Sequence, residues 1–419
     1  VLGVVLVTAP LATALSAFWL AALVHRGKVR WSALAGVVLA LTMGGIAFVG
    51  AIKLLLVLLL VAGVAASAAP AWHLASLVDD QPPRIRVRAL SVYRAGEALA
   101  VAILLVLVVV LTRVYDLTWR AVALVLGVLF LAAAVSVLRH AEPRSGWWDS
   151  ERVTAVVKAA TDDDVSDRDA VRLGIFETAR PLLGIATVRR ALAANLVLGL
   201  LGLPFLVWVL LYLDEQYAVG GVARGSVAAA CAAAGAVTIV LVSSWGEERW
   251  CREPSQLLGE ARLPLALGLA CVLVGALVPL LPVVVVAFVL AFACFSVVRP
   301  ILDIAVLTVV APDLRPMASA LTGGAFAATT ALGGVLVLAG LDRRFGPGGA
   351  LVGLVLVAAQ ALPLLRGASR VVDDDVDRLV DSLVEDTELR QAVARGAHLP
   401  MLSCRGIDFS YGQMQVLFD

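Results

Sequence analysis

ALSVYRAGEALAVAILLVLVVVL, residues 89–111, is the stretch on which the fold turns. It is long enough to cross a bilayer core of roughly 30 Å at 1.5 Å per residue. In lipid every backbone polar group must pair within its own segment, so such a run becomes a helix. Ten further runs of this kind lie at 1–24, 31–49, 54–78, 121–137, 191–213, 225–242, 263–281, 283–310, 318–341 and 349–365. The break between 281 and 283 rests on Val278-Pro279-Leu280-Leu281-Pro282, because 263–310 is too long for one span and proline interrupts helices. Apolar residues make up 61% of the 419 positions and charged residues 16%. Mean hydropathy is +0.96. A soluble domain carries about 45–50% apolar and about 25% charged residues. The short alternating strands of a membrane β-barrel are not seen in the sequence. The chain reads as an all-α polytopic membrane protein with eleven visible spans.

Charge and cysteines exclude several classes of function. The net charge is +1, which offers nucleic acid nothing to bind. Cys231, Cys251, Cys271, Cys294 and Cys404 show no CxxC or metal-ligand spacing and read as reduced structural thiols. The sequence has no metal cluster, no Ser/His/Asp arrangement and no glycine-rich phosphate loop, so no catalytic constellation is expected within it. The cations are nearly all arginine; the lysines are Lys28, Lys53 and Lys158. With the abundance of Ala, Val, Leu and Gly, this bias suggests a high-GC bacterial genome and hence a bacterial inner membrane.

Arginine and lysine in short loops orient the spans. Arg26, Lys28 and Arg30 lie in the first loop, Arg84, Arg86 and Arg88 in the third, and Arg249, Arg252 and Arg262 in a later one. These, with the long segment 139–190, fall on one side, which is therefore cytoplasmic. Arg343 and Arg344 are the exception on the other side. Counting spans places the C-terminal tail in the cytoplasm and Val1 outside. The chain opens on valine inside an apolar run, so a first helix is expected to precede it, giving twelve; a cleaved signal peptide is the rival reading.

The segment 139–190 divides the chain into a membrane half at 1–138 and another at 191–367. It carries Trp147 and Trp148, which suit the membrane interface, an acidic stretch at Thr161–Asp164, and a possible short helix at 165–183. A weak repeat links the halves. RIRVRALSVYRAGEA, residues 84–98, follows the third span, and PDLRPMASALTGGAFA, residues 312–327, follows the ninth. Aligning Ser91 with Ser319 also aligns Gly96 with Gly324. Parallel repeats about an axis along the membrane normal are the architecture of major facilitators. AFWLAALVHRGKVRWSALAG, residues 17–36, resembles the second helix and following loop of the major facilitator superfamily, whose loop motif is approximately G-x-L-A-D-R-x-G-R-R. Arg26, Lys28 and Arg30 supply the basic part; the acidic residue is absent, with His25 near its place. The resemblance implies a bundle of two six-helix halves over residues 1–365 and a membrane transporter.

The tail changes character. Residues 368–400 are acidic and amphipathic, with Val376, Leu379, Val380, Leu383 and Val384 at helical spacing. Within 401–419, Leu402, Cys404, Ile407 and Phe409 read as a strand, Tyr411-Gly412 as a turn, and 416–418 as a second strand. This end resembles the opening of an ATP-binding-cassette ATPase of the branched-chain amino-acid transporter type, the start of an α/β nucleotide-binding domain. The resemblance implies that Tyr411 stacks on adenine, that ATP with Mg binds mainly beyond Asp419, and that paired ATPase domains make a homodimer.

Charges inside the spans are the candidate functional residues, because each is costly in a bilayer. Arg299 and Asp303 stand near the middle of 283–310 at i,i+4 spacing and are expected to pair on one helix face, with Pro300 loosening the helix between them. They are the leading candidates for a substrate or gating element. Arg94 and Glu97 lie one turn inside 89–111, where snorkelling to the interface is the cheaper reading. His73 follows Pro70 and Trp72; it reads as a proton relay or as a satisfied polar residue. Asn195 and Thr322 can hydrogen-bond across helices. Glu97 and Asp303 each have an arginine at pairing distance, which favours the charged carboxylate and argues against a proton-coupled carrier.

The expected function is a transporter of a small apolar or amphipathic solute in the lipid bilayer, coupled to ATP through the fused domain and leaning to export. The alternatives are an ion-coupled facilitator with a regulatory cytoplasmic domain, and a membrane anchor for a cytoplasmic enzyme. The full-length protein is a transport ATPase only under the first of these.

Overall fold

The computed structural model describes residues 2–23, 27–68, 72–140, 175–394, 409–411 and 414–417. Trp147, Trp148, Thr161–Asp164, His25, Arg26, Leu402, Cys404 and Ile407 lie outside the described residues.

Each apolar run is helical. The first half contains α1 (Leu2–Leu23), α2 (Lys28–Ile46), α3 (Ile52–Ala66), α4 (Leu74–Asp80), α5 (Arg86–Arg113) and α6 (Trp119–Val137). The second contains α7 (Ile175–Gly184), α8 (Ala186–Leu198), α9 (Leu203–Tyr217), α10 (Gly221–Arg252), α11 (Pro254–Glu260), α12 (Arg262–Leu277), α13 (Leu281–Thr308), α14 (Arg315–Leu332), α15 (Ala339–Ala358) and α16 (Ala361–Ser369). Among the described residues, eight helical stretches are long and apolar enough to cross a membrane, and Val7–Ala21 and Ile52–Ala66 are shorter apolar helices. The tenth run, α14, is missing from both groups. Its Ser319, Thr322, Gly323 and Gly324 are buried inside the bundle rather than turned to lipid.

Several spans are broken where the chain lacks a donor or a Cβ. The third run divides into α3 and α4, with a π-turn at Trp72 and His73. The sixth divides at a 3₁₀ turn, Gly199–Leu201, before Pro204. That turn lies against α14: a Cβ on Gly199 would stand 2.5 Å from the Phe326 carbonyl oxygen, so only glycine fits. The hydroxyl of Thr330 donates to the Gly199 carbonyl at 3.1 Å and fixes the contact. Between the tenth and eleventh runs, α15 is kinked at Gly346, whose φ of 72° is left-handed, just before Pro347.

Two cross-half pairings organise the bundle. The first span, α1, runs along α14 of the tenth, and the fourth span, α5, runs along α10 of the seventh. A Cβ on Gly324 would stand 3.2 Å from the Ala14 carbonyl oxygen, the close small-residue approach that membrane helices favour. A two-fold relation that sends each span to the one six later exchanges these two pairings. The first five spans therefore correspond to the last five. The repeated turns agree: Pro83–Ile85 and Pro312–Leu314 are 3₁₀ turns, followed by helices starting at Arg86 and Arg315. Structure thus registers Pro83 on Pro312, one residue away from the alignment of Ser91 with Ser319.

The outer surface needs lipid. Leu54, Val57, Leu60 and Val64 of α3, and Leu99, Ile103 and Val106 of α5, are exposed. A contiguous apolar belt of this kind is not tolerated in water. The protein is a multi-pass membrane protein.

Past the bundle, α17 (Val372–Ala394) begins with Asp373, Asp374 and Asp375. The Asp375 carboxylate accepts a 2.8 Å hydrogen bond from the Thr187 amide and so caps the start of α8. Farther on, β1 (Phe409–Tyr411) pairs antiparallel with β2 (Met414–Leu417). Tyr411 is therefore the end of a strand, paired with Met414, and not a turn residue. Its side chain lies outside the described residues.

Candidate functional site

Arg94 is the centre of the site. It stands on α5 about 12 Å in from the Arg86 end, at 1.5 Å per residue. Its Nε donates to Asp303 Oδ2 at 2.7 Å, and its NH1 to Glu97 Oε2 at 2.7 Å. Arg94 is 6% exposed and Asp303 7%, whereas Glu97 is 41% exposed. The Arg94–Asp303 pair joins the two halves between positions 209 apart in the sequence. Arg94 therefore does not snorkel; it is turned inward and satisfied by carboxylates on two helices.

The pairing expected between Arg299 and Asp303 is not made. Asp303 belongs to Arg94, whose fork reaches it squarely from the facing helix. Arg299 instead lies over the Phe326 ring, 3.9 Å from its centre. Its Nε is buried and has no hydrogen-bond partner among the described residues. Pro300 follows it and removes the N–H that would bind the Ser296 carbonyl one turn back.

These side chains border a cavity of about 190 Å³ between α5 of the first half and α8, α10, α13 and α14 of the second. Arg94, Glu97, Ser296 and Arg299 are its polar lining; Phe292, Phe295, Phe326 and Ile239 are among its apolar walls. A separate space of about 10 Å³, lined by Val87 and Ser91 among others, lies toward the Arg86 end. Arg94 lines the larger cavity, and its partner Asp303 sits behind it.

His73 lies behind this layer. Its Nδ1 is 3.2 Å from the Tyr93 hydroxyl, and the two rings meet edge to face. Asn195 and Thr322, which could bond across helices, bond within their own. Asn195 donates to the Ala191 carbonyl at 3.0 Å, and Thr322 to the Ala318 carbonyl at 3.0 Å.

A second layer, which the sequence reading missed, closes the basic end. Asp79 at the end of α4 meets Arg315 NH1 of α14 at 2.7 Å and Lys28 Nζ of α2 at 3.5 Å. Arg315 also donates from Nε to the Leu307 carbonyl at 3.0 Å. The side chains of Asp79 and Arg315 are 0% and 1% exposed. The usable signal was the position of each at the basic end of an apolar run, one from each half. Lys28 is thus where the basic loop engages a carboxylate, with Asp79 supplying the acid that the loop itself lacks. Among the described residues, no three His, Cys, Asp or Glu side chains gather as a metal site.

The sequence profile of the Major Facilitator Superfamily matches residues 1–337. Among solved structures, the fold is similar to the human organic anion transporter MFSD10 (TETRAN), with a TM-score of 0.62 at 15% identity over 87% of this chain and 83% of that one. It is similar to the E. coli fucose:proton symporter FucP, with a TM-score of 0.60 at 14% identity over 88% and 90%. FucP in its outward conformation gives a TM-score of 0.62 at 14% identity over 87% and 89%. At such identities the likeness is one of fold. No curated protein sequence matches the chain significantly. These matches carry a transporter and lend nothing to an ATP-binding domain at residues 401–419.

Proposed function

We propose a mechanism from a plain premise: the chain belongs to the Major Facilitator Superfamily and is a transmembrane transporter of small molecules. It works as an ion-coupled secondary carrier of an amphipathic solute, with the basic end of the bundle in the cytoplasm of a bacterial cell. The observation that carries this reading is the cavity between the halves, lined by Arg94, which pairs across the halves with Asp303. Opening toward the basic end requires that pair and the Asp79–Arg315 pair to part, so solute binding must change what Arg94 holds. Glu97 is the carboxylate placed to do this. It faces the open cavity and bonds to Arg94, yet lies on the same helix and holds no halves together. A proton on Glu97 weakens its hold on Arg94 and couples the cavity's charge to the gradient. Arg94 is shared between Glu97 and Asp303, so Glu97 does not hold it alone.

A second reading keeps one observation, the β1–β2 hairpin in the ATPase-like stretch. There ATP with Mg drives transport in a homodimer, and Tyr411 stacks on adenine. One assay separates the two. Proteoliposomes holding a pH-sensitive dye and no nucleotide are given a panel of small acids, amines and alcohols. The carrier reading expects solute-induced proton flux, lost in Glu97→Gln. Solute uptake that needs ATP and ignores an imposed pH gradient would overturn it.

A further inference from the structure

The cavity's charges are unevenly satisfied, and the imbalance points to a ligand. Four ionisable side chains meet there. Arg94 and Arg299 bring two positive charges, Glu97 and Asp303 two negative ones, so the empty site is neutral in sum. The bonds do not divide that way. Both carboxylates are bound by Arg94, while Arg299 has an aromatic face beneath it and a buried Nε with no acceptor among the described residues. A buried guanidinium N–H without an acceptor is costly, and structures keep one where something else supplies the acceptor. Arginine presents a planar fork that matches a carboxylate. The remaining wall is apolar and aromatic, from Phe292, Phe295, Phe326 and Ile239. The volume, about 190 Å³, is roughly six water volumes, the scale of a single-ring or short-chain molecule.

Resting on the carrier reading above, we propose that Arg299 receives the anionic head of a small amphipathic organic acid, whose apolar part lies against Phe292, Phe295 and Phe326, and that one proton accompanies each anion by binding Glu97. The charge count requires the second clause. One bound anion takes the neutral cluster to a net charge of −1, and a proton from the cavity water onto a Glu97 oxygen returns it to neutrality. Glu97 then releases Arg94 from its second carboxylate, and proton and anion leave together on the other side. The groups facing Glu97 are Tyr93 and Arg94 on its own helix and Arg299 on α13; Asp303, also on α13, shares Arg94 with it. His73 stands behind Tyr93. The cavity linings from α8, α10 and α14 are Leu198, Ile239 and Phe326, none of which titrates.

The test uses the purified full chain in detergent, with benzoate, phenylacetate and octanoate as probes against benzamide and benzylamine. Binding is read by calorimetry and by the thermal unfolding midpoint. At least one of the three acids is expected to bind, tighter as pH falls, with proton uptake near one per anion. Benzamide and benzylamine are expected not to bind. Arg299→Ala should weaken the acid by about tenfold or more, the equivalent of about 1.4 kcal/mol. Arg299→Lys should retain part of the binding, which guards against a folding defect in the alanine variant. No binding by any acid, equal binding of benzamide, or unchanged binding in a folded Arg299→Ala would overturn the inference. The carrier reading fails separately: acid binding that survives as proposed, without proton-coupled flux in proteoliposomes, would sink coupled transport and leave the Arg299 site standing.

Discussion

Two charge layers join the halves, and they are built from the same chemistry to different ends. At the basic end, Asp79 meets Arg315 and Lys28 in a setting with almost no accessible surface. About 12 Å along α5, Arg94 meets Asp303 beside a cavity of about 190 Å³, with Glu97 half-open to it and Arg299 Nε without an acceptor among the described residues. The first layer is sealed, with Asp79 held between two cations, although its Oδ2 makes no hydrogen bond among the described residues. The second stands open to a cavity. A sealed buried pair holds one arrangement of the halves, whereas an open one is sensitive to what enters. The difference separates a latch from a binding site on structural grounds alone.

The largest effect should come from breaking the latch. Asp79→Asn strips buried Arg315 of its carboxylate, and removing one partner of a buried pair costs about 3–5 kcal/mol. The thermal unfolding midpoint of the purified protein should fall markedly. Replacing all three charges, Asp79→Asn with Arg315→Met and Lys28→Met, should recover much of the loss, because no uncompensated charge of the cluster remains. A single variant as stable as the wild type would show that water reaches this layer and would remove the contrast between the two.

A smaller stability effect, with a larger functional one, is expected at the second layer. In Asp303→Asn, Arg94 still holds Glu97, so the loss is near that of one charged hydrogen bond, about 1.5–3 kcal/mol. Proton flux driven by solute should nevertheless fall by about tenfold or more, the rate equivalent of about 1.4 kcal/mol. Normal flux in a folded Asp303→Asn would mean the halves switch without this pair, and both layers would then be latches.

The membrane spans were legible because their cause is local. A run such as 89–111 must be helical in lipid whatever surrounds it, and Pro279 and Pro282 mark a boundary in any context. The offset of six spans was also legible, from two similar stretches at 84–98 and 312–327, although the turns place the register one residue away. The partners of the charges were not legible. Spacing sees one helix, so Arg299 and Asp303 looked like a pair. Asp303 is in fact taken by a residue 209 positions away, and only packing sets that distance. Asp79 and Arg315 read as loop charges for the same reason. The tail shows the limit of a short motif: 401–419 suggested an ATPase, while the superfamily match over 1–337 accounts for the transport domain without it.

The smallest effect distinguishes support from participation. Tyr93→Phe removes the hydroxyl that meets His73 Nδ1 at 3.2 Å and keeps the edge-to-face ring contact. One neutral hydrogen bond is worth about 0.5–1.5 kcal/mol, so the unfolding midpoint should drop slightly. Tyr93 lies between His73 and Glu97, and its hydroxyl faces both. Losing it takes a donor from the Glu97 carboxylate, so the pH profile of solute-induced flux should move slightly toward higher pH in Tyr93→Phe, while Glu97→Gln abolishes the flux. An unmoved profile in Tyr93→Phe would leave the hydroxyl to His73 alone and take both residues off the proton's route. The proton would then rest on Glu97 alone in the first half, while the charge of the site is still drawn from both.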